Sequence, residues 1–570
     1  MKITDTRKTL NFAIASFPFI NPIHFYPDGD VLSQSIAVLT SAALVFALYI
    51  KTTKLSPSTL SITLAYLSIV LLFNLDSNSR SSAALIAILP AMLISFIKER
   101  DMPPILWGII FGASINALAG YTQLSDETIT LGGLIFRDPS VLETTVYGNI
   151  AQRNLFTTYL FLGFLAAAQL YSQEKPSQTQ KNILLLFLTL IIPPLTFSAS
   201  RSTVLYTLSA LLFLLAANYK APYCQYTKKF SKITLYFVIL LMACQTIPKT
   251  LLPYKTGLKR ASEGEPIRIA EWKKTYQIIS EYFPSGIGWG NYPHYSFLEQ
   301  IKGSSAAQDL TWIHSHNIFL NLLCELGAAA IPLIAIILYL AFSITRSSIK
   351  KKENYFSALA IITLGAHSLL EYPLWYAQFF ILLVLIINTS HLRRIEIATS
   401  KISRILISST ALVIALGCLT TILQYKYLAQ NAFKSADPLE NMERISKFNT
   451  IAANPYLKFS AELSTLNHIP IGSGTMRLCL LADLSKQLPT FTLLDKLAIE
   501  LYTIDQDKLA ASVMNSRFKA YPKESTHVLL DDTKGFPAEK QGQINSDMEN
   551  AAVSDAGKNL YQLSVIPSCP

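Results

Sequence analysis

Two arginines and a histidine, far apart in the chain, have the chemistry needed to act on a pyrophosphate. Arg201 stands in TFSASRSTVLY, Arg268 in EPIRIAEW and His316 in TWIHSHNIFLNLL. A guanidinium binds phosphate oxygens through two parallel hydrogen bonds. An imidazole titrates near neutral pH and can serve as a general base towards a hydroxyl. These residue types therefore suit a site that binds a pyrophosphate and holds a titratable imidazole.

Further polar residues stand at the ends of apolar segments and are candidates for hydrogen bonds to a sugar or a phosphate. They are Gln152, Asn154, His314, Asn317, Glu371 and Tyr372. His314 is also the rival base. Two residues apart on a helix means a rotation of about 200°, so both histidines can share one site only if position 314 precedes the helix.

Each of these residues also has an ordinary structural explanation. An arginine at the end of a span often anchors to lipid phosphate, and a histidine at a helix start often caps or packs. Asn and Gln near span ends often satisfy backbone groups. The common placement of these residues at one membrane face is what favours a site.

Membrane-spanning helices must position these residues. Hydrophobic residues make up 51% of the 570-residue chain and charged residues 15%, whereas soluble proteins have about 25% charged residues. Apolar runs such as 182–199 are long enough to span a bilayer. This composition excludes a soluble globular chain, a disordered chain and a disulfide scaffold. We predict an all-α polytopic membrane protein with spans near 10–23, 31–50, 58–74, 80–97, 103–120, 150–170, 183–199, 202–218, 233–248, 315–344, 355–371, 373–390 and 405–423.

The distribution of Lys and Arg orients these thirteen spans. With the N-terminus inside, the inner segments carry about twenty basic residues and the short outer loops only Arg80, Arg137 and Arg201. The net charge of +11 is therefore interpreted as membrane asymmetry and contact with lipid, and no nucleic-acid partner is expected. The outer parts are the connection at 121–149, a large loop at 249–314 and the tail after 424.

The large loop contains a predicted amphipathic helix. Pro266 suits a helix start, and Lys273 and Lys274 fall off the apolar face. This face should lie at the membrane interface or against the helix bundle, while Arg268 at the helix start would favour an anion. The apolar residues recur at intervals of three and four, at Ile269, Trp272, Tyr276, Ile279 and Phe283.

The domain plan follows from these patterns. We predict a transmembrane domain over 1–423, a periplasmic α-helical domain over 424–530 and a flexible tail over 531–570.

Cys479 and Cys569 could form a disulfide in an outer compartment or remain two free thiols. No residue spacing suggests a metal site or a cofactor. Glu325, an intramembrane carboxylate, is interpreted as structural.

The chain resembles the O-antigen ligase and polymerase superfamily. The matching segments are FSASR at 197–201, PIRIAEW with FPSGIGWGNY at 266–292, and HSHNIFLNLLCELG at 314–327. The family's two arginines and histidine correspond to Arg201, Arg268 and His316. GNIAQRN at 148–154, HSLLEYPLWYAQFF at 367–380 and FPFINPIHFYPDGD at 17–30 are similar to the PglL-type O-oligosaccharyltransferases. Arg153 replaces the proline that is often seen in the first of these motifs.

The resemblance implies O-glycosylation of proteins in the bacterial periplasm by an enzyme of the inner membrane. The donor would be an oligosaccharide on undecaprenyl pyrophosphate, and the acceptor would be a Ser or Thr of a secreted protein such as a pilin. An O-antigen ligase or an O-antigen polymerase would use nearly the same residues. A transporter of lipid-linked glycans is a further alternative, which the scarcity of charges within the spans disfavours.

Overall fold

The computed structural model consists mainly of α-helices, as the hydropathy pattern predicts. It describes residues 3–24, 29–50, 53–73, 79–96, 101–124, 131–135, 146–173, 176–220, 224–246, 256–262, 266–303, 311–350, 354–390, 392–522 and 536–553. The helices up to residue 262 are α1 (Ile3–Ser16), α2 (Val31–Tyr49), α3 (Thr59–Phe73), α4 (Ser79–Ser95), α5 (Met102–Gln123), α6 (Arg153–Tyr171), α7 (Gln178–Leu190), α8 (Ile192–Phe197), α9 (Ser202–Lys220), α10 (Gln225–Gln245) and α11 (Gly257–Ser262).

The remaining helices include those of the large loop and of the C-terminal region. They are α12 (Pro266–Tyr282), α13 (Tyr292–Ile301), α14 (Ile318–Leu326), α15 (Ala330–Lys350), α16 (Tyr355–Ser368), α17 (Ala377–Thr389), α18 (Lys401–Asn431), α19 (Pro438–Ile451), α20 (Lys458–His468), α21 (Thr475–Gln487), α22 (Phe491–Thr503), α23 (Asp507–Ala520) and α24 (Ala538–Val553). Two short strands, β1 (Lys54–Leu55) and β2 (Ile397–Ala398), pair antiparallel.

Six helical segments in the described part of the chain are long and apolar enough to cross a membrane. The prediction of an all-α membrane protein is confirmed by these segments. Each of the thirteen predicted spans overlaps a helix, but the number of crossings stays a prediction. The six segments are Val31–Tyr49, Met102–Gln123, Gln178–Phe197, Ser202–Lys220, Ile318–Ile349 and Lys401–Asn431.

The chain forms two compact units. Unit 1 comprises Met1–Ile69, Ala84–Gly264 and Pro332–Leu423. Its core surrounds α6, in which every residue from 155 to 170 is buried. The segment LFTTYLFLGFLAAAQL is apolar on nearly every side and can therefore be covered all round. The helices α5, α7, α9, α10 and α16 pack against it.

Unit 2 comprises Val70–Ala83, Glu265–Ile331 and Gln424–Pro570. Its larger core joins α13 to the successive C-terminal helices α20 to α24, with apolar side chains such as Phe297 and Leu497 buried between them. Cys479 on α21 is disulfide-bonded. The predicted partner, Cys569, lies outside the described residues.

Within the predicted flexible tail over 531–570, residues Ala538–Val553 form the helix α24. This helix packs on α23 although its sequence is mostly polar. The reason is that Ile544 and Met548, four residues apart and thus on one helical face, are buried in the core of unit 2. Ion pairs of Lys540 with Asp505 and Asp507 also hold the helix in place. The rest of the predicted tail, 531–535 and 554–570, lies outside the described residues.

Candidate active site

In unit 1, a buried asparagine holds the GNIAQRN segment that leads into α6. The Asn149 side-chain amide donates to the carbonyl oxygens of Asn21 (2.6 Å) and Leu134 (2.8 Å). The side-chain oxygen of Asn116 on α5 accepts from the backbone N–H of Asn149 (3.1 Å) and of Ile150 (3.2 Å). These bonds satisfy loop backbone that could not otherwise be buried, and they fix the entry of the chain into α6.

Two of the predicted substrate-binding residues, Asn154 and Glu371, contact each other. Asn154 Nδ2 donates to Glu371 Oε1 at 3.0 Å, and Ser200 Oγ donates to Asn154 Oδ1 at 2.8 Å. Glu371 is only 7% exposed. The sequence motifs around 154, 200 and 371 thus converge on one cluster of unit 1, next to Arg201.

A second hydrogen-bonded group lies one turn further along α6. Thr158 Oγ1 is 2.6 Å from His367 Nδ1 and 2.9 Å from the hydroxyl of Tyr206. All three side chains are buried. These contacts join α6, α9 and α16 through polar groups inside an otherwise apolar core, where an unmade hydrogen bond is costly.

The remaining predicted residues of unit 1 lie at helix ends. Gln152 caps α6, because its side-chain oxygen accepts from the backbone N–H of Leu155 at 2.6 Å. Tyr372 stacks on Tyr376 with ring centroids 5.9 Å apart. Arg201 is half-buried in the turn between α8 and α9. A capping role for Gln152 agrees with the structural alternative, so its contact with substrate stays a prediction.

Strained backbone occurs directly beside the predicted catalytic residues. Ala151 (φ +62°), Ala199 (φ +52°) and His316 (φ +55°) adopt the left-handed conformation. This conformation costs about 1–2 kcal/mol for a residue other than glycine. It persists only where the surroundings determine it, as at functional sites. Ala151 precedes Gln152, Ala199 lies two residues before Arg201, and His316 is itself the predicted base.

In unit 2, α12 carries the half-buried Arg268 in its first turn. The predicted apolar face is largely exposed, since Ile269, Tyr276 and Phe283 are 55%, 66% and 51% exposed. The buried face instead contains Lys274, which is 1% exposed. The helical periodicity predicts only that Lys274 lies outside the apolar face.

A glycine-rich turn after α12 docks on the C-terminal end of α14. The backbone N–H of Gly288 donates to the carbonyl of Glu325 at 3.0 Å, and that of Gly290 to Glu325 Oε1 at 3.2 Å. Gly286 (φ +76°) and Gly327 (φ +56°) pass so closely that a Cβ on Gly327 would lie 2.1 Å from the carbonyl oxygen of Pro284. The turn thus satisfies carbonyls that a helix end leaves unpaired, and the Glu325 carboxylate takes part in this contact.

Both histidines precede α14, which begins at Ile318. Asn317 caps this helix, since its side-chain oxygen accepts from the backbone N–H of Phe319 (3.1 Å) and Leu320 (3.2 Å). The imidazole rings of His314 and His316 are 6.3 Å apart. The geometric objection to both histidines sharing one site therefore does not apply.

A hydrogen bond to the backbone indicates which ring nitrogen of His316 carries the proton. Its Nδ1 lies 3.2 Å from the carbonyl oxygen of His314. A carbonyl only accepts hydrogen bonds, so Nδ1 carries the proton and Nε2 of the neutral ring carries the lone pair. His316 is half-buried, whereas His314 is 5% exposed. His316 is thus the more accessible base of the two.

Comparisons with known proteins agree with this set of motifs. Residues 184–335 match the family described as O-antigen ligase, and residues 355–531 match the C-terminal region of a virulence factor membrane-bound polymerase. The first match contains Arg201, Arg268 and His316. The chain is 24% identical over 399 residues to a general O-oligosaccharyltransferase of Acinetobacter baylyi, covering 65% of this chain and 67% of the relative.

A second relative from the same organism is a ComP-specific O-oligosaccharyltransferase, 27% identical over 278 residues. This alignment covers 47% of the chain and 48% of that relative, which is about half of its length. Over these segments the chain is similar to the O-antigen ligase superfamily and, within it, to PglL-type O-oligosaccharyltransferases. The resemblance inferred from the motifs is thereby confirmed, and this glycosyltransferase is an enzyme of the oligosaccharyltransferase class.

Sequence reasoning missed several buried residues that lie beside the predicted site. In the described residues no group of three or more His, Cys, Asp or Glu side chains could hold a metal ion. The buried pair Glu271–Lys274 and the ring of Trp312 beside His316 are the main omissions. The interval of three between Glu271 and Lys274 on a helix was a readable signal for an ion pair. The contact of Trp312 with His316 depends on the loop before α14, for which the sequence has no periodicity.

Proposed function

We propose that the enzyme transfers an oligosaccharide en bloc from undecaprenyl pyrophosphate to a Ser or Thr hydroxyl of a secreted protein, such as a pilin. The observation that carries this proposal is the similarity to two relatives named as O-oligosaccharyltransferases. The geometry of His316 supports it, because a hydroxyl acceptor needs a base and Nε2 of this ring carries a lone pair.

In the proposed reaction, His316 Nε2 takes the proton of the acceptor hydroxyl while the hydroxyl oxygen attacks the anomeric carbon of the glycan. A new bond forms between that oxygen and the anomeric carbon, and the bond from the carbon to the pyrophosphate oxygen breaks. The electron pair leaves with the lipid pyrophosphate. Arg201 and Arg268 bind the departing anion through bidentate hydrogen bonds and stabilise its charge. The proton on His316 is then released to water.

We further propose that the reaction occurs at the periplasmic face of the bacterial inner membrane. The disulfide of Cys479 supports an oxidising compartment for the C-terminal domain, and the Lys/Arg distribution supports the same orientation. Reporter fusions at positions 225 and 350 should indicate cytoplasm, and fusions at 290 and 450 periplasm. A cytoplasmic signal at 450 would contradict the orientation.

Coexpression with a lipid-linked glycan pathway and a pilin tests the function itself. The intact mass of the pilin should rise by the mass of the glycan, and the increase should disappear in a His316→Ala variant. If the glycan instead appears on lipid A core in a strain without its own ligase while the pilin stays unmodified, the enzyme is an O-antigen ligase. If neither product forms and glycan export survives His316→Ala, the transporter alternative holds.

A further inference from the structure

A fully buried ion pair lies in unit 2 on the inner face of α12. Lys274 Nζ is 2.6 Å from Glu271 Oε2, and both side chains are 0% exposed. The other carboxylate oxygen, Oε1, accepts from the hydroxyl of Tyr292 at 2.6 Å. Burial lowers the pKa of Lys274, and the neighbouring Glu271 carboxylate opposes this. Apolar side chains of the same volume often stabilise a core as well as a buried ion pair does. A contribution to stability therefore does not explain why an ion pair lies at this position.

The ammonium group of this pair is connected to the proposed base through one aromatic ring. Lys274 Nζ lies 5.7 Å from the centroid of the Trp312 ring, within the range of a cation–π interaction. The Trp312 ring in turn meets the His316 imidazole at 5.0 Å between centroids and an interplanar angle of 81°. Trp312 is 7% exposed, so its ring is held between the ion pair and the histidine.

His316 needs such support because its backbone is strained. A φ of +55° is unfavourable for any residue with a Cβ, and the loop before α14 is not part of a helix. The bond from Nδ1 to the carbonyl of His314 fixes the ring on one side. The contact with Trp312 fixes it on another. A base displaced by about 1 Å can lose roughly a hundredfold in rate, so the support has a direct catalytic consequence.

We propose that Lys274 and Trp312 are positioning residues, which hold the His316 imidazole in its reactive orientation through the chain Glu271–Lys274–Trp312–His316. This inference rests on the proposed role of His316 as the general base. Neither residue takes part in the chemistry. Lys274 orients the tryptophan ring, and the ring orients the histidine.

The C-terminal domain offers a matched control pair. Arg477 Nε is 2.9 Å from Glu500 Oε2, with side chains 6% and 0% exposed. The guanidinium also donates to the carbonyl oxygens of Leu466 and Ile469. This pair closes the turn between α20 and α21, which is a role in folding. Loss of the Arg477 pair should therefore lower stability without changing the turnover of the folded enzyme.

The test compares variants of the full-length enzyme in detergent, with an undecaprenyl-pyrophosphate-linked oligosaccharide and a purified pilin as substrates. Lys274→Met and Trp312→Leu should lower kcat about tenfold or more, with the KM for the donor within about twofold. Trp312→Phe keeps an aromatic face and should retain at least half of kcat. Arg477→Met should lower the melting temperature and leave kcat per folded molecule unchanged.

Several outcomes separate this inference from the proposed function. The inference is overturned if folded Lys274→Met has the wild-type kcat, or if Trp312→Phe is as impaired as Trp312→Leu. If Lys274→Met does not fold, the comparison of the two Trp312 variants decides the question. A His316→Ala variant at wild-type rate would overturn both proposals. An inactive His316→Ala together with normal Lys274→Met and Trp312→Leu would overturn the positioning role alone.

Discussion

The polar network around Thr158 in unit 1 and the polar residues behind His316 in unit 2 are organised differently. In unit 1, buried side chains from separate helices bind each other, as in Thr158 with His367 and Tyr206. In unit 2, the ion pair and the aromatic ring are buried, but they lead to a histidine that is only half-buried. The first arrangement joins helices within a core. The second supports one side chain at an accessible position.

Buried polar side chains thus have two different roles in this protein. A hydrogen bond inside a core contributes about 1 kcal/mol, but leaving one partner unsatisfied costs more. Such a network therefore specifies which helices pack together. A buried charge next to a strained loop instead fixes the orientation of a reactive group. We expect substitutions in the network of Thr158, His367 and Tyr206 to act mainly on stability and those around His316 mainly on turnover.

The largest effect is expected for the base. His316→Ala should reduce glycan transfer about 10²- to 10⁴-fold, the usual contribution of a general base, while binding of the lipid-linked donor persists. His314→Ala should retain partial activity, because the backbone carbonyl that accepts from His316 Nδ1 remains. Initial rates and donor binding measured on the same preparations test this. Full activity of His316→Ala with loss in His314→Ala would move the base to position 314.

The next effect concerns the two arginines. Arg201→Lys and Arg268→Lys should each lose most of the activity, about tenfold or more, because lysine lacks the planar fork that binds two phosphate oxygens at once. The amount of protein in the membrane should not change. Transfer rates are compared at equal protein level. Wild-type rates in both variants would reduce the two arginines to lipid anchors.

A smaller effect, on stability, is expected in the core of unit 1. Thr158→Val keeps the shape of the side chain but removes the hydroxyl that contacts His367 and Tyr206. The free energy of unfolding should fall by about 1–3 kcal/mol, with kcat per folded molecule within about twofold. Thr207→Val is the control, since its hydroxyl bonds to the carbonyl of Thr203 in its own helix. A loss of kcat without loss of thermal stability in Thr158→Val would contradict the contrast between the units.

The smallest effect is a pH dependence of stability in the C-terminal helices of unit 2. Burial, with a further contribution from Asp483, raises the pKa of Glu462 from 4.5 to about 7, although Lys458 opposes the shift. The folded state therefore binds this proton more tightly than the unfolded chain does. The protonated carboxyl stabilises the folded state fully below about pH 4.5, and this stabilisation is lost as the pH rises to about 7.

Glu462→Gln should remove this dependence. At pH 8 the variant should melt a few degrees above the wild type, about the shift expected from 1 kcal/mol in a domain of this size, and near pH 4.5 the two should converge. Melting curves across this range measure the difference. A wild-type melting temperature that rises from pH 5 to pH 8 relative to Glu462→Gln would show that the carboxylate is stabilising when charged.

Much of the fold could be predicted because the helices of this chain coincide with long apolar runs in the sequence. The apolar runs located a helix at every predicted span, and the motifs around Arg201, Arg268 and His316 indicated the family. The sequence was less informative for α24, where two apolar residues four apart dock a mostly polar helix. Average composition conceals such an interval.

The amino-acid sequence by itself determined the helical membrane class, the family and the residue types available for chemistry, since these depend on local pattern and composition. Only the tertiary structure decided which face of α12 is covered, and it buried Lys274 and left Ile269, Tyr276 and Phe283 exposed. It also decided that Asn154 meets Glu371 and that Trp312 lies between Lys274 and His316. Periodicity shows that a helix has two faces, but the partner of each face depends on residues that are distant in the chain.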